Sequence, residues 1–170
     1  MRPLFALILA VPLLAGCLTQ IDGRPQLAAG VDLRSQYWCK AAQFDAAKAA
    51  DWSNAEVIKE EIKDNLYSIG LISLWRKKPY IIEVTNLDDS ERSFRAPNFF
   101  KNSSILKAVY DGKTVETPCM ESVTLGPGKS AEIHVVPTAK GSFDYHDTAL
   151  WIPFLTQLTT NGDIGLIHVQ

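Results

Sequence analysis

The side chains best suited to chemistry stand near the C-terminal end of the chain, where His146 is followed by Asp147 and later by Asp163. One imidazole and two carboxylates could hold Zn²⁺ or Cu²⁺ if a further ligand joined them. The competing interpretation, which we favour, is that these groups satisfy one another at the end of a loop. The other histidines, His134 and His168, stand between apolar residues on strand-like segments and are expected to point outward.

No catalytic motif is recognisable in the sequence. It lacks G-x-S-x-G, H-E-x-x-H and a glycine-rich phosphate loop, and neither Cys39 nor Cys119 has a histidine placed to activate it. The paired carboxylates Glu60-Glu61 and Asp88-Asp89 are expected to be solvated on the surface. We therefore predict that the protein is not an enzyme.

Charge and length narrow the remaining classes of function and the number of domains. The formal net charge is −2, and the largest cationic cluster, Arg76-Lys77-Lys78, is predicted to be an exposed hairpin turn. Neither feature is typical of a nucleic-acid-binding protein, so no nucleic-acid partner is expected. A chain of 170 residues is long enough for one ordinary domain with extensions.

The N-terminal segment predicts that the protein is located in the cell envelope. Arg2 precedes a short apolar run from Leu4 to Leu14, and the run ends in Leu14-Ala15-Gly16-Cys17. This ending resembles the cleavage signal of bacterial lipoproteins. The resemblance implies a signal peptide over residues 1–16, acylation of Cys17 with palmitate-type chains, and a lipidated tether over residues 17–36. Leu18 then implies sorting to the outer membrane, facing the periplasm.

Two further cysteines, Cys39 and Cys119, remain in what would be an oxidising compartment. A disulfide between them is the interpretation we favour, while buried thiols and metal ligation stay open. Closing a loop of about eighty residues would contribute about 4–5 kcal/mol in the chain-entropy account.

The elements around these residues form two regions. Residues 37–54 are rich in alanine and predict a short helical extension that packs on the domain. Residues 55–170 show short alternating segments, such as Glu56–Lys63, and turn signals such as Gly126-Pro127-Gly128-Lys129. They predict an all-β Greek-key sandwich of seven to eight strands, although a helical turn within Glu56–Lys63 stays open.

From about residue 56 onward the chain resembles the cupredoxins, the plastocyanin-like Greek-key sandwiches. It is most similar to small periplasmic members that carry an F-x-A-P-x-F-F element. The motifs that carry the resemblance are Pro79-Tyr80 with Asn86, Phe94-x-Ala-Pro-x-Phe-Phe, Leu125-x-Pro-Gly, Lys140-Gly141-Ser-Phe-Asp-Tyr and the closing Gly165-Leu-Ile-His-Val.

The resemblance also indicates where copper ligands would stand. Blue-copper members use two histidines, a cysteine thiolate and a weak axial methionine. Here Ser93 occupies the first histidine position, Asp147 the cysteine position and Asp163 the methionine position, and the loop from Thr148 to Asn161 has no histidine. Because a carboxylate and a hydroxyl cannot replace a soft thiolate, we expect no type 1 copper and no other cofactor.

The same loop carries large apolar side chains around a proline: Leu150, Trp151, Ile152, Phe154 and Leu155. They are expected to be buried against the end of their own sandwich, against the helical extension, against a protein partner in the envelope, or against lipid. The sequence therefore predicts a membrane-anchored, copper-free binding or structural module. The alternatives are a metal-handling protein with an atypical site at His146, Asp147 and Asp163, and an accessory subunit of a respiratory or electron-transfer system.

Overall fold

A computed structural model describes residues 30–32, 44–117, 119–147 and 164–170. Their strands form two six-stranded sheets. In spatial order, the first sheet contains β1 (Gly30–Asp32), β9 (Ser122–Leu125), β6 (Arg92–Arg95), β11 (Gly141–His146), β12 (Ile164–Val169) and β4 (Leu71–Leu74). The second contains β3 (Leu66–Tyr67), β2 (Glu56–Lys63), β5 (Tyr80–Asn86), β10 (Ser130–Pro137), β7 (Ser103–Tyr110) and β8 (Lys113–Glu116).

The core lies between the two sheets because the strands alternate buried and exposed residues. In β5, Tyr80, Ile82, Val84 and Asn86 are buried while the residues between them are partly exposed. This period of two directs one face of each sheet inward. The predicted all-β sandwich is confirmed, and Glu56–Lys63 is a strand rather than a helical turn.

The strand number exceeds the predicted seven to eight, since twelve strands are present in the described residues. The difference comes partly from β1 and β3, which have three and two residues. Such short segments cannot show a periodic pattern in the sequence. Two pairings are parallel, β2 with β5 and β4 with β12, and all the others are antiparallel.

Short helices complete the described structure: α1 (Phe44–Lys48), a 3-10 helix (Trp52–Asn54) and α2 (Pro97–Lys101). The first two belong to the predicted extension, and residues 37–43 of that extension lie outside the described part. The backbone N–H of Ala47 donates to Ser104 Oγ of β7 at 2.9 Å, and Trp52 Nε1 donates to the carbonyl oxygen of Ala47 at 2.9 Å. The first bond joins the extension to the outer face of the second sheet, and the second bond lies within the extension.

Within the described residues, no helix combines the length and the apolar character that crossing a bilayer requires.

Candidate functional site at one end of the sandwich

Two of the sequence-predicted positions, Ser93 and Asp147, lie in direct contact. Strand β6 carries Ser93, and Asp147 follows the last residue of β11, which pairs with β6 through His146 and Arg95. Asp147 Oδ1 accepts from the backbone N–H of Ser93 at 2.9 Å and from Ser93 Oγ at 2.8 Å. The adjacent strands thus bring these positions together, and a hydroxyl–carboxylate pair occupies the place.

An arginine that the sequence reasoning missed closes the same site. Arg92 Nη1 lies 3.4 Å from Asp147 Oδ2, and its Nε donates to Asp88 Oδ2 at 2.7 Å. Its Nη2 donates to Asn65 Oδ1. The Asp147 side chain is only 3% exposed and the Arg92 side chain 15%, so this ion pair is largely shielded from water.

Asp88 anchors the outer side of the site. Its carboxylate accepts from the backbone N–H groups of Asp64 (2.6 Å) and Asn65 (3.2 Å). Burial alone would raise the pKa of Asp88, but the hydrogen bonds from Asn65, Asp64 and Arg92 outweigh it and lower the pKa below its usual value. The predicted solvation of Asp88 is therefore wrong, because its side chain is 9% exposed and fully engaged.

A second carboxylate, Glu60, is buried completely inside the sandwich. Its Oε1 accepts from Ser68 Oγ at 2.8 Å and from the backbone N–H of Ile69 at 3.0 Å. Its Oε2 accepts from the hydroxyl of Tyr145 at 3.0 Å, and that hydroxyl also contacts the carbonyl oxygen of Ile69. Burial, with the Glu60 carboxylate beside it, raises the pKa of Tyr145, which keeps the hydroxyl protonated as a donor.

The expected solvation of Glu60 is thus wrong, and the sequence held a signal against it. Glu60 stands between Ile58 and Ile62 at every second residue of β2, the spacing of a face that points into the core. A carboxylate at such a position predicts hydrogen-bond donors in the interior.

No protein-family model matches the chain, and no curated protein matches it. Solved structures do share its architecture. They include multi-copper oxidases from Pseudomonas thermotolerans (16% identity, TM-score 0.51, covering 71% of this chain and 31% of that one) and Pediococcus acidilactici (17%, 0.51, 72% and 27%). A copper nitrite reductase from Nitrosomonas europaea matches at 11% identity with a TM-score of 0.50, covering 74% of this chain and 52% of that one.

These neighbours are cupredoxin-fold proteins. The domain has the cupredoxin fold. The predicted resemblance is confirmed at that level, and the chain spans between 27% and 52% of the length of the three copper enzymes. At such low identity, the likeness concerns the fold alone.

In a cupredoxin-like sandwich, the pair of Ser93 and Asp147 does not fit a type 1 copper ion. Such an ion needs a thiolate sulfur with imidazole nitrogens, whereas this pair offers a hydroxyl and a carboxylate. Those oxygens are already hydrogen-bonded to each other, and the carboxylate also faces Arg92. The third predicted position, Asp163, lies outside the described residues. So do the apolar residues of the loop: Leu150, Trp151, Ile152, Phe154 and Leu155.

His146 does not join Asp147, although the two are neighbours in the sequence. Tyr145 is buried in the core, so along the strand His146 points to the opposite face, where its Nδ1 lies 3.4 Å from Asp144 Oδ2. Burial lowers the pKa of His146, and the nearby Arg95 acts in the same direction. Over the part of the chain that the structure describes, no three potential ligands are grouped for a metal ion.

His134 points outward, as predicted, yet it is 91% buried because the extension covers it. The Trp52 ring lies 5.2 Å from the imidazole ring, centre to centre. Neither ring nitrogen of His134 has a hydrogen-bond partner, and Glu132 Oε2 stands 3.5 Å from Nε2. Burial lowers the pKa of His134, and the positive charge of Lys107 lowers it further.

The predicted disulfide and the predicted acylation both involve cysteines outside the described residues. Cys119 is buried in the core, whereas Cys17 and Cys39 lie outside the described residues. The disulfide and the acylation are therefore still predictions.

Proposed function

We propose that this protein is a membrane-anchored binding or structural module built on a cupredoxin-like domain that does not use type 1 copper. The observation that carries the proposal is the hydrogen-bonded pair of Ser93 and Asp147, with donor distances of 2.8 and 2.9 Å at the positions that the resemblance assigns to copper ligands.

The burial of that pair supports a structural role. Asp147 is 3% exposed and receives two hydrogen bonds as well as the charge of Arg92. A metal ion entering here would have to displace Arg92 and desolvate further, without gaining a soft ligand. The same contacts join β6 to the end of β11, so polar side chains hold this end of the sandwich together.

Metal titration tests the part of the proposal that concerns copper. The mature chain carrying Cys17→Ser would be titrated with Cu²⁺, Cu⁺ and Zn²⁺ by calorimetry, and we expect no binding tighter than micromolar. Tighter binding that is lost in Asp147→Ala would overturn the proposal in favour of a metal-handling protein. An intense blue absorption band on adding Cu²⁺ would do so directly.

The proposal that the protein docks a partner rests on the apolar segment Leu150–Leu155, which follows this end of the sandwich in the sequence. Large apolar side chains in such numbers are typical of a protein interface. In cells, a photo-crosslinking amino acid placed at Trp151 or Phe154 should capture one specific envelope protein. A crosslinker at Val57, an exposed residue near the start of β2 that lies away from this site, serves as the control.

The crosslinking result also separates the remaining candidates. Capture at Trp151 of a respiratory or electron-transfer protein would identify the accessory-subunit role. Absence of specific capture at Trp151 and Phe154, with both variants expressed and folded, would contradict docking through this segment.

The anchor has a test of its own. If Cys17 is acylated, the protein should remain with the outer membrane after salt and carbonate washing, and Cys17→Ser should release it into the soluble envelope fraction. Tight membrane attachment of Cys17→Ser would refute the lipid anchor without bearing on the site at Ser93 and Asp147.

A further inference from the structure

Strand β4 forms an edge of the first sheet. It pairs with β12 alone among the described strands. The backbone N–H of Leu166 donates to the carbonyl oxygen of Gly70 at 3.0 Å, and that of Gln170 donates to the oxygen of Leu74 at 2.9 Å. Because backbone groups alternate in direction along a strand, Leu71 and Ser73 direct their N–H and C=O groups away from β12, towards solvent.

Apolar side chains flank these backbone groups. Leu71 is 56% exposed and Trp75 60% exposed, although both are large and apolar. Leu166, the neighbour of Leu71 across the β4–β12 pairing, and Ile164 are also exposed. Natural sheets usually protect such an edge with charges, proline or a bulge. The sequence of β4, Leu-Ile-Ser-Leu, contains no charge or proline.

We propose that this edge pairs with β4 of a second copy of the chain, so that the two first sheets join across a twofold axis. An antiparallel pairing centred on Ile72 places Leu71 of one copy opposite Ser73 of the other, and the reverse. Each such pair exchanges two backbone hydrogen bonds. The pairing stops at Trp75, because its N–H already donates to the Tyr80 hydroxyl at 2.8 Å.

Charge placement fits the same register. Beyond the paired residues, the same register directs Arg76 towards the end of β4 of the second copy that Ser68 precedes. Ser68 is bonded to Glu61 through Ser68 N–H to Glu61 O (2.8 Å) and Glu61 N–H to Ser68 Oγ (2.9 Å). Arg76 and Glu61 are both exposed, and neither has an ion-pair partner in the described structure. The twofold axis therefore brings each Arg76 towards a Glu61 and keeps the two arginines apart.

This inference does not rest on the proposed docking role, since β4 lies apart from Ser93 and Asp147 in the sheet. Its test is the oligomeric state of the mature chain carrying Cys17→Ser, followed by sedimentation velocity over a range of concentrations. We expect a reversible dimer. Ser73→Pro removes an outward N–H without touching the bonds to β12, so it should weaken the dimer at least about tenfold in dissociation constant.

A matched control exists at the edge of the other sheet. Residues 111 and 112 form the two-residue turn between β7 and β8, and Tyr110 pairs with Lys113. In such a hairpin the closing pair is hydrogen-bonded, so the N–H of Thr114 points outward. Thr114→Pro should therefore leave the dimer dissociation constant unchanged.

Charge-exchange variants test the same dimer independently, so the test does not depend on whether the proline variant folds. Arg76→Glu should weaken the dimer, and the double variant Arg76→Glu with Glu61→Arg should restore it. A wild-type chain that stays monomeric at every concentration would overturn the proposal. So would a dimer that neither Ser73→Pro nor Arg76→Glu affects.

Discussion

Glu60 and Asp147 show what a buried carboxylate requires in this fold. Each receives hydrogen bonds from a backbone N–H and from a hydroxyl. Glu60 accepts from the N–H of Ile69 and from the hydroxyls of Ser68 and Tyr145. Asp147 accepts from both the N–H and the hydroxyl of Ser93. Charged groups are seldom fully buried without such partners. The position of Asp147 could be inferred from the resemblance, whereas its donors depend on strand pairing that no local pattern reveals.

Gly165 has a specific reason to be glycine, because the Tyr145 ring lies directly over it. A Cβ added at Gly165 would overlap the ring and the hydroxyl of Tyr145, its cross-strand neighbour. Gly165→Ala should therefore move Tyr145 away from Glu60 and lower the free energy of unfolding by about 2–3 kcal/mol, measured by denaturant titration. Gly70→Ala is the control, since a Cβ there meets nothing within 4 Å. Equal effects at the two positions would contradict this reason.

His134 should make stability depend on pH. Burial and Lys107 hold its folded-state pKa below the unfolded value of about 6.5, and burial does the same for His146. The unfolded chain therefore binds more protons in this range, so the stabilisation is complete above about pH 6.5 and is lost as pH falls through the folded pKa values. Denaturant titrations at several pH values should show this loss.

The variant His134→Phe separates this histidine from the other titrating groups. It keeps an aromatic ring beside Trp52 but cannot be protonated, so the decrease in stability below about pH 6.5 should be smaller than in the wild type. Asp88, whose pKa is lowered, loses its contribution only at more acid pH, below about 3.9. An unchanged pH dependence in His134→Phe would show that His134 does not titrate on unfolding.

At the scale of elements, a hydrogen bond and a ring contact join the extension to the second sheet. Trp52 covers His134 and donates to the carbonyl oxygen of Ala47, and Ala47 donates to Ser104. Trp52→Ala should remove this cover and lower the free energy of unfolding by about 2 kcal/mol. The amide of Ala47 should then exchange with solvent faster, as hydrogen–deuterium exchange would detect. Leu87→Ala, at an exposed position, should change neither quantity.

The elements also differ in how far the sequence predicts them. Strand β2 was predicted with its bounds, because eight residues suffice to show a period of two. Helix α2 was missed, although Pro97 begins it and proline is common at the first helical position. The parallel pairings of β2 with β5 and β4 with β12 join segments distant in the chain. Such register depends on tertiary packing and has no local signal.

For the whole molecule, the sandwich was predictable because hydrophobic alternation and turn residues agree along the chain. The candidate site was predictable only in part. The positions of Ser93 and Asp147 follow from the resemblance, but Arg92, Asp88 and Asn65 come together through the turn after β2 and the segment between β5 and β6. Contacts between such segments need the folded register.

The disulfide prediction also belongs to the scale of the whole molecule. A bond between Cys39 and Cys119 would link the extension to the buried core around Cys119. Closing a loop of about eighty residues should then stabilise the fold by about 4–5 kcal/mol in the chain-entropy account, so a reductant should lower the melting temperature of the wild type. Thiol titration of the denatured, unreduced mature chain carrying Cys17→Ser should find no free thiol. The variant with both Cys39→Ala and Cys119→Ala should melt at one temperature with or without reductant, whereas two titratable thiols in the unreduced parent would refute the bond.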